Sequence, residues 1–66
     1  MDIQLNGKRT SVGNSTTIGQ LIRDRHLNPA AVVVEHNLAI VSPDDWDQVR
    51  LQENDTIEIL KFVGGG

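Results

Sequence analysis

The sequence predicts a small α+β domain in which one main helix packs across one face of a sheet. Three observations predict it: a strand, Asn-Gly, strand signature at the start, one amphipathic stretch opened by Thr17, and β-branched runs through the remainder. At 66 residues the chain makes one domain. A domain of this size buries only about 60% of its unfolded surface, which leaves no room for a core and a large walled pocket together.

The elements follow in order. Ile3 and Leu5 alternate with Asp2 and Gln4, the period of a half-buried strand. Asn6-Gly7 is a hairpin turn, and it is read as a turn only, because both residues tolerate positive φ. Lys8 to Val12 returns as a second strand with Thr10 and Val12 inward, and Gly13-Asn14-Ser15 breaks it. Thr17 is a helix cap and Gln20, three residues on, completes a capping box. Ile18, Leu21 and Ile22 share one helical face, with Arg23, Asp24 and Arg25 mostly on the other. About three turns are expected, ending near His26, because Pro29 disfavours helical geometry at Asn28.

Ala31 to Glu35 reads as a mostly buried strand, His36-Asn37 as a turn, and Leu38 to Val41 as a short further strand. Ser42 caps a helical turn with Pro43 at its first position and Trp46 closing it. Val49 and Leu51 are candidates for a brief pairing. Glu53-Asn54-Asp55 turns the chain into the last strand, Thr56 to Val63, with Ile57 and Ile59 inward and Glu58, Leu60 and Phe62 outward. Phe62 could alternatively join the core. Residues 1–63 thus form the domain, and Gly64, Gly65 and Gly66 a flexible tail.

Composition excludes several functions. Net charge is -3 with acids and bases scattered, so no Lys/Arg stripe exists to neutralise successive phosphates, and nucleic-acid binding is not expected. The chain has no cysteine, which removes a disulfide scaffold, a thiolate metal site and a thiol nucleophile of its own. The opening MDIQLNGK lacks a charged leader followed by an apolar run, and Ala30 to Val34 is far too short to span a bilayer, so a cytoplasmic protein without membrane contact is expected. His26, behind the helix, suits the negative end of its dipole, His36 sits at a turn, and neither calls for a metal. Asp44 and Asp45 complement the positive end of a helical turn rather than form an acid-base pair. Trp46 reads as a cover for one end of the core.

The glycine triplet packs nothing and weakens a strand, so it adds no fold stability. What it offers is a thin arm, free of side chains, ending in a carboxylate. Such an arm can thread a narrow channel and present its last carbon to ATP. With the segment Val34-Glu35-His36-Asn37, the Asn6-Gly7 hairpin, the Pro43 to Trp46 turn and the ending Glu58-Ile59-Leu60-Lys61-Phe62-Val63-Gly64-Gly65-Gly66, the chain resembles the ThiS-type sulfur carriers of thiamine biosynthesis along its whole length.

The resemblance implies a β-grasp (ubiquitin-like) fold with a mixed sheet. It implies a protein cosubstrate rather than an enzyme. A ThiF-type adenylating enzyme would activate the Gly66 carboxylate with ATP, a cysteine-derived sulfurtransfer system would make it a thiocarboxylate, and thiazole synthase would take the sulfur. No cofactor would be stably bound, since the ATP belongs to the adenylating enzyme, and the free chain is expected to be a monomer. Gly64 and Gly65 would give the arm access, and Glu58, Leu60, Phe62 and Val63 would meet the partners; an exposed Leu and Phe beside the tail form an apolar docking patch. The rival readings are a carrier for molybdopterin or another sulfur-containing metabolite, and a β-grasp interaction module with an inert tail. The short chain favours the thiazole pathway over the longer molybdopterin-type carriers.

Overall fold

The structure is a computed structural model, and it describes residues 1–62. Five strands and one helix follow in the order β1 (Asp2–Leu5), β2 (Lys8–Ser11), α1 (Ile18–Asp24), β3 (Val32–His36), β4 (Ala39–Val41) and β5 (Thr56–Lys61). Two 3₁₀ turns, Pro29–Ala31 and Pro43–Asp45, precede β3 and follow β4. The strands form one sheet in the order β2-β1-β5-β3-β4. β5 lies at its centre, parallel to β1 and antiparallel to β3, so the sheet is mixed.

The two hairpins share one device. Asn6 and Gly7 have φ of 49° and 82°, and Asn37 and Leu38 have 51° and 75°. Positive φ at both central residues is the turn geometry that matches the right-handed twist of a tight hairpin. Leu5 pairs with Lys8 and His36 with Ala39 across these turns. The second turn is therefore Asn37-Leu38, one residue later than His36-Asn37. This shortens β4 at its start, leaves Leu38 out of the strand, and makes His36 the last residue of β3.

Helix α1 begins as expected: the Thr17 hydroxyl accepts the Gln20 backbone N–H at 3.1 Å. It ends earlier, after seven residues, or about two turns. The stop is His26, whose φ of 57° is left-handed. From there the His26 N–H donates to the Arg23 carbonyl at 3.0 Å and the Leu27 N–H to the Ile22 carbonyl at 3.2 Å. This pair of bonds is the Schellman C-terminus, which closes a helix before any proline is reached. Pro29 instead opens a 3₁₀ turn capped by Asn28, whose Oδ1 accepts the Ala30 N–H, and this turn takes in Ala31.

The core lies between α1 and one face of the sheet. Ile3, Leu5, Ile18, Leu21, Ile22, Val34, Ile57 and Ile59 are buried, with Leu51 and Trp46 closing the ends. Trp46 satisfies its indole by donating to the Val41 carbonyl at 3.0 Å. Ser42 caps its turn by accepting the Asp44 N–H, with Pro43 at the first position. The Val49 and Leu51 segment does pair, and its partner is the start of α1: Ile18 N–H donates to Val49 and Leu51 N–H to Thr16. Among the described residues no helix is long and apolar enough to cross a membrane.

Candidate functional site

The site is built on β5, because that strand leads into the glycine triplet. Neighbours on both sides hold it. The Asn6 backbone N–H donates to the Ile57 carbonyl at 2.9 Å, while its side-chain Oδ1 accepts the Ile59 N–H at 2.7 Å and its Nδ2 donates to the Ile59 carbonyl at 3.4 Å. On the other flank the Asn37 N–H donates to the Thr56 carbonyl at 2.8 Å and its Oδ1 accepts the Thr56 N–H at 2.9 Å. Each asparagine amide stands in for the peptide group that its strand loses on turning away. Asn6 is thus more than a turn residue. It extends the β1 ladder onto β5.

A second lock lies at the base of the strand. His36 Nε2 sits 2.8 Å from Asp55 Oδ2, the Gln52 N–H donates to the same oxygen at 2.8 Å, and Asn37 Nδ2 donates to Oδ1 at 3.2 Å. Burial pushes the Asp55 carboxyl up, but the bonds from His36, Gln52 and Asn37 outweigh it, and the group lies below the ordinary carboxylate range. His36 is therefore a structural partner of Asp55. His26 closes the helix through its left-handed backbone.

Outward from the sheet, Glu58, Leu60 and Phe62 occupy the face opposite the core, as the alternation predicts. Leu60 is 51% exposed and Phe62 62%, so Phe62 is a surface residue and not core. The Phe62 N–H donates to the Ala31 carbonyl at 2.9 Å, which carries the β3–β5 pairing one residue past the end of β5. The remaining predicted site residues, Val63, Gly64, Gly65 and Gly66, lie outside the described residues.

The structure adds Ile40 to this face. β4 sets it opposite Glu35, which in turn faces Glu58, so the three form a row across β4, β3 and β5. Val33, opposite Leu60, lies on the same face. The sequence signal for Ile40 was its apolar side chain in a short strand; its face depends on the register with β3. Among the described residues, no group of three or more His, Asp or Glu side chains is placed to hold a metal.

The ThiS family model matches residues 3–66. The chain belongs to the ThiS family. Other ThiS-like sequences agree. The sulfur carrier protein ThiS of Bacillus subtilis is 40% identical over 65 residues, covering 97% of this chain and 98% of that one. A crystal structure of the thiamine biosynthesis protein ThiS from Geobacter metallireducens superposes with a TM-score of 0.86 at 28% identity over the full length of both. The mixed sheet with one helix is thus the β-grasp fold of ThiS. Two proteins named thiazole synthase, from Magnetococcus marinus and Paramagnetospirillum magneticum, match the whole chain at 41% and 33% identity. The chain spans about a fifth of the length of these two relatives.

Proposed function

We propose that this ThiS-family chain is a sulfur carrier of thiamine biosynthesis, a protein cosubstrate whose working group is the Gly66 carboxylate. The observation that carries the reading is the family match through residue 66, which takes in the glycine triplet two residues after the central strand. The chemistry follows from the group. A carboxylate is a poor electrophile. Transfer of AMP from ATP, with release of pyrophosphate, makes it a mixed anhydride with a good leaving group. A sulfide nucleophile expels AMP and leaves a thiocarboxylate directly; a persulfide expels AMP to give an acyl disulfide, from which a partner thiol, by forming a disulfide with the donor sulfur, frees the thiocarboxylate.

The chain's own residues serve access and grip. Gly64 and Gly65 present no side chain to a narrow channel, and Leu60 and Phe62 offer apolar area to an adenylating enzyme of the ThiF type and to thiazole synthase. The Asn6 and Asn37 clasp holds the strand from which the arm departs. With no cysteine in the sequence, any covalent sulfur relay uses the partners' thiols. The names of the relatives support thiazole synthase as acceptor, since in two of them a region like this one is part of the same polypeptide.

Intact-mass spectrometry tests the reading. Incubated with ATP, the adenylating enzyme and a sulfur source, the chain gains the difference between one sulfur and one oxygen. A mass unchanged after incubation identifies an inert module instead.

A further inference from the structure

Among the asparagines of the chain only Asn6 precedes a glycine; Asn14, Asn28, Asn37 and Asn54 precede Ser, Pro, Leu and Asp. An asparagine becomes an aspartate when the next backbone nitrogen attacks its side-chain carbonyl carbon. Glycine hinders that attack least because it has no Cβ, and proline has no N–H to give up. Beyond its chain neighbours, a Cβ at Gly7 would meet no atom within 4 Å, and both Asn6 and Gly7 are exposed to water.

What restrains the reaction is the clasp on β5. Asn6 Oδ1 accepts the Ile59 N–H at 2.7 Å and Nδ2 donates to the Ile59 carbonyl at 3.4 Å, so both ends of the amide are engaged. Ring closure swings the Asn6 Cγ back onto the Gly7 nitrogen, and the amide cannot hold Ile59 during that movement. The reaction therefore proceeds from an opened clasp, at a rate set by how often the clasp opens.

The product suits the site worse than the amide does. The β1–β5 register, which pairs Leu5 with Ile57, sets Asn6 beside Glu58 when carried one residue on, and Glu58 faces Glu35 across β5 and β3. The ion pairs among the described residues are Asp2–Arg9, Arg23–Asp47 and His36–Asp55, so neither glutamate has a cationic partner there. A carboxylate at position 6 adds a third negative charge to this row, and like charges on neighbouring strands destabilise a sheet. It also has no N–H, so an oxygen faces the Ile59 carbonyl where a donor stood.

We infer that the Asn6-Gly7 junction is a deamidation site, held in check by the clasp and damaging to β5 once it reacts. The Gly7 nitrogen bonds to Asn6 Cγ and loses its proton, the Cγ–Nδ2 bond breaks, and Nδ2 takes up that proton and leaves as ammonia. Water then opens the five-membered imide at either carbonyl, giving aspartate or isoaspartate. Either product weakens the hold on Ile59, in the strand that leads toward the glycine triplet. The inference does not depend on the proposed carrier function.

The test incubates the full-length chain in native buffer and in concentrated urea, and follows by intact mass and peptide mapping the replacement of NH by O. In urea, position 6 should convert ahead of every other asparagine. In the folded chain it should convert at least about tenfold more slowly, the scale set by a bonded clasp that must first open. Asn6→Asp stands in for the aspartate product; its thermal midpoint should fall and amide exchange at Ile59 should accelerate. Asn6→Asp/Glu58→Gln should recover part of that loss.

Equal rates at position 6 in the folded and the unfolded chain overturn the protection by the clasp. Conversion led by another asparagine in urea overturns the assignment of the junction. An Asn6→Asp variant as stable as the parent overturns the damage to β5, and a double variant no more stable than Asn6→Asp overturns the part given to charge. The two rates are read on the parent chain, so they decide the first two points even if Asn6→Asp does not fold.

Discussion

The Asn6 side chain grips both backbone groups of Ile59, accepting its N–H at 2.7 Å and donating to its carbonyl at 3.4 Å. Ile59 is buried, so removing the amide leaves its N–H without a partner away from water. Asn6→Ala should cost about 1–3 kcal/mol, the penalty of a buried group left unpaired, with a contribution from the left-handed backbone that Asn tolerates. Urea denaturation reads the loss, and amide exchange at Ile59 should accelerate with it. A variant as stable as the parent would show that the clasp contributes nothing.

Leu38 is the converse case. It is 87% exposed and left-handed, so its side chain gains no packing while its backbone is strained. The penalty for an L-residue is roughly 1–2 kcal/mol, and glycine escapes it at an entropic cost of about 0.5–1 kcal/mol. Leu38→Gly should therefore stabilise the chain by about 0.5–1 kcal/mol. His26→Gly at the helix end should do likewise, for the same reason. Thermal midpoints should rise by about 4–8 °C per kcal/mol; a fall in either would contradict the strain.

The Asp55 lock sets a pH dependence. The folded carboxyl lies below its ordinary value, so on acidification the unfolded chain takes up the proton first. The contribution is complete above the unfolded value of about 3.9 and disappears as pH falls through the lower folded value. Asp55→Asn should be less stable than the parent near neutrality, by about 1–3 kcal/mol, because two bonds to the carboxylate are disrupted. The two stability curves should converge in acid. Parallel curves down to about pH 3 would refute the assignment.

Leu60 and Phe62 can be tested together, because both are exposed and neither is needed for the core. Leu60→Ser/Phe62→Ser should stay folded, with a stability loss under about 1 kcal/mol. Its affinity for the adenylating enzyme and for thiazole synthase should fall about tenfold or more. Unchanged affinity for both partners removes these residues from the docking face.

The arm has a simpler test. One bulky residue appended after Gly66, with nothing to trim it off, should abolish thiocarboxylate formation and with it thiazole formation. Undiminished product would rule out Gly66 as the reacting end.

Local chemistry was legible in the residues themselves. Asn6-Gly7 announced a hairpin, Thr17 a helix start, Ser42-Pro43 a capped turn, and Ile57 and Ile59 the inward face of the last strand, because turn geometry, capping and alternation act over a few neighbours. The glycine triplet and its preceding strand pointed to the ThiS family only together with the Asn6-Gly7 hairpin, the segment Val34 to Asn37 and the Pro43 to Trp46 turn. Tertiary structure decided what depends on contacts distant in sequence. Asn6 meets Ile59 and His36 meets Asp55 only once β5 lies between β1 and β3. The end of α1 at Asp24, ahead of the expected stop set by Pro29, was decided by the left-handed backbone of His26, which no periodicity encodes. A groove under Ile40 and Phe62 exists because strand register, set by the packed core, brings four separate stretches of chain to one spot.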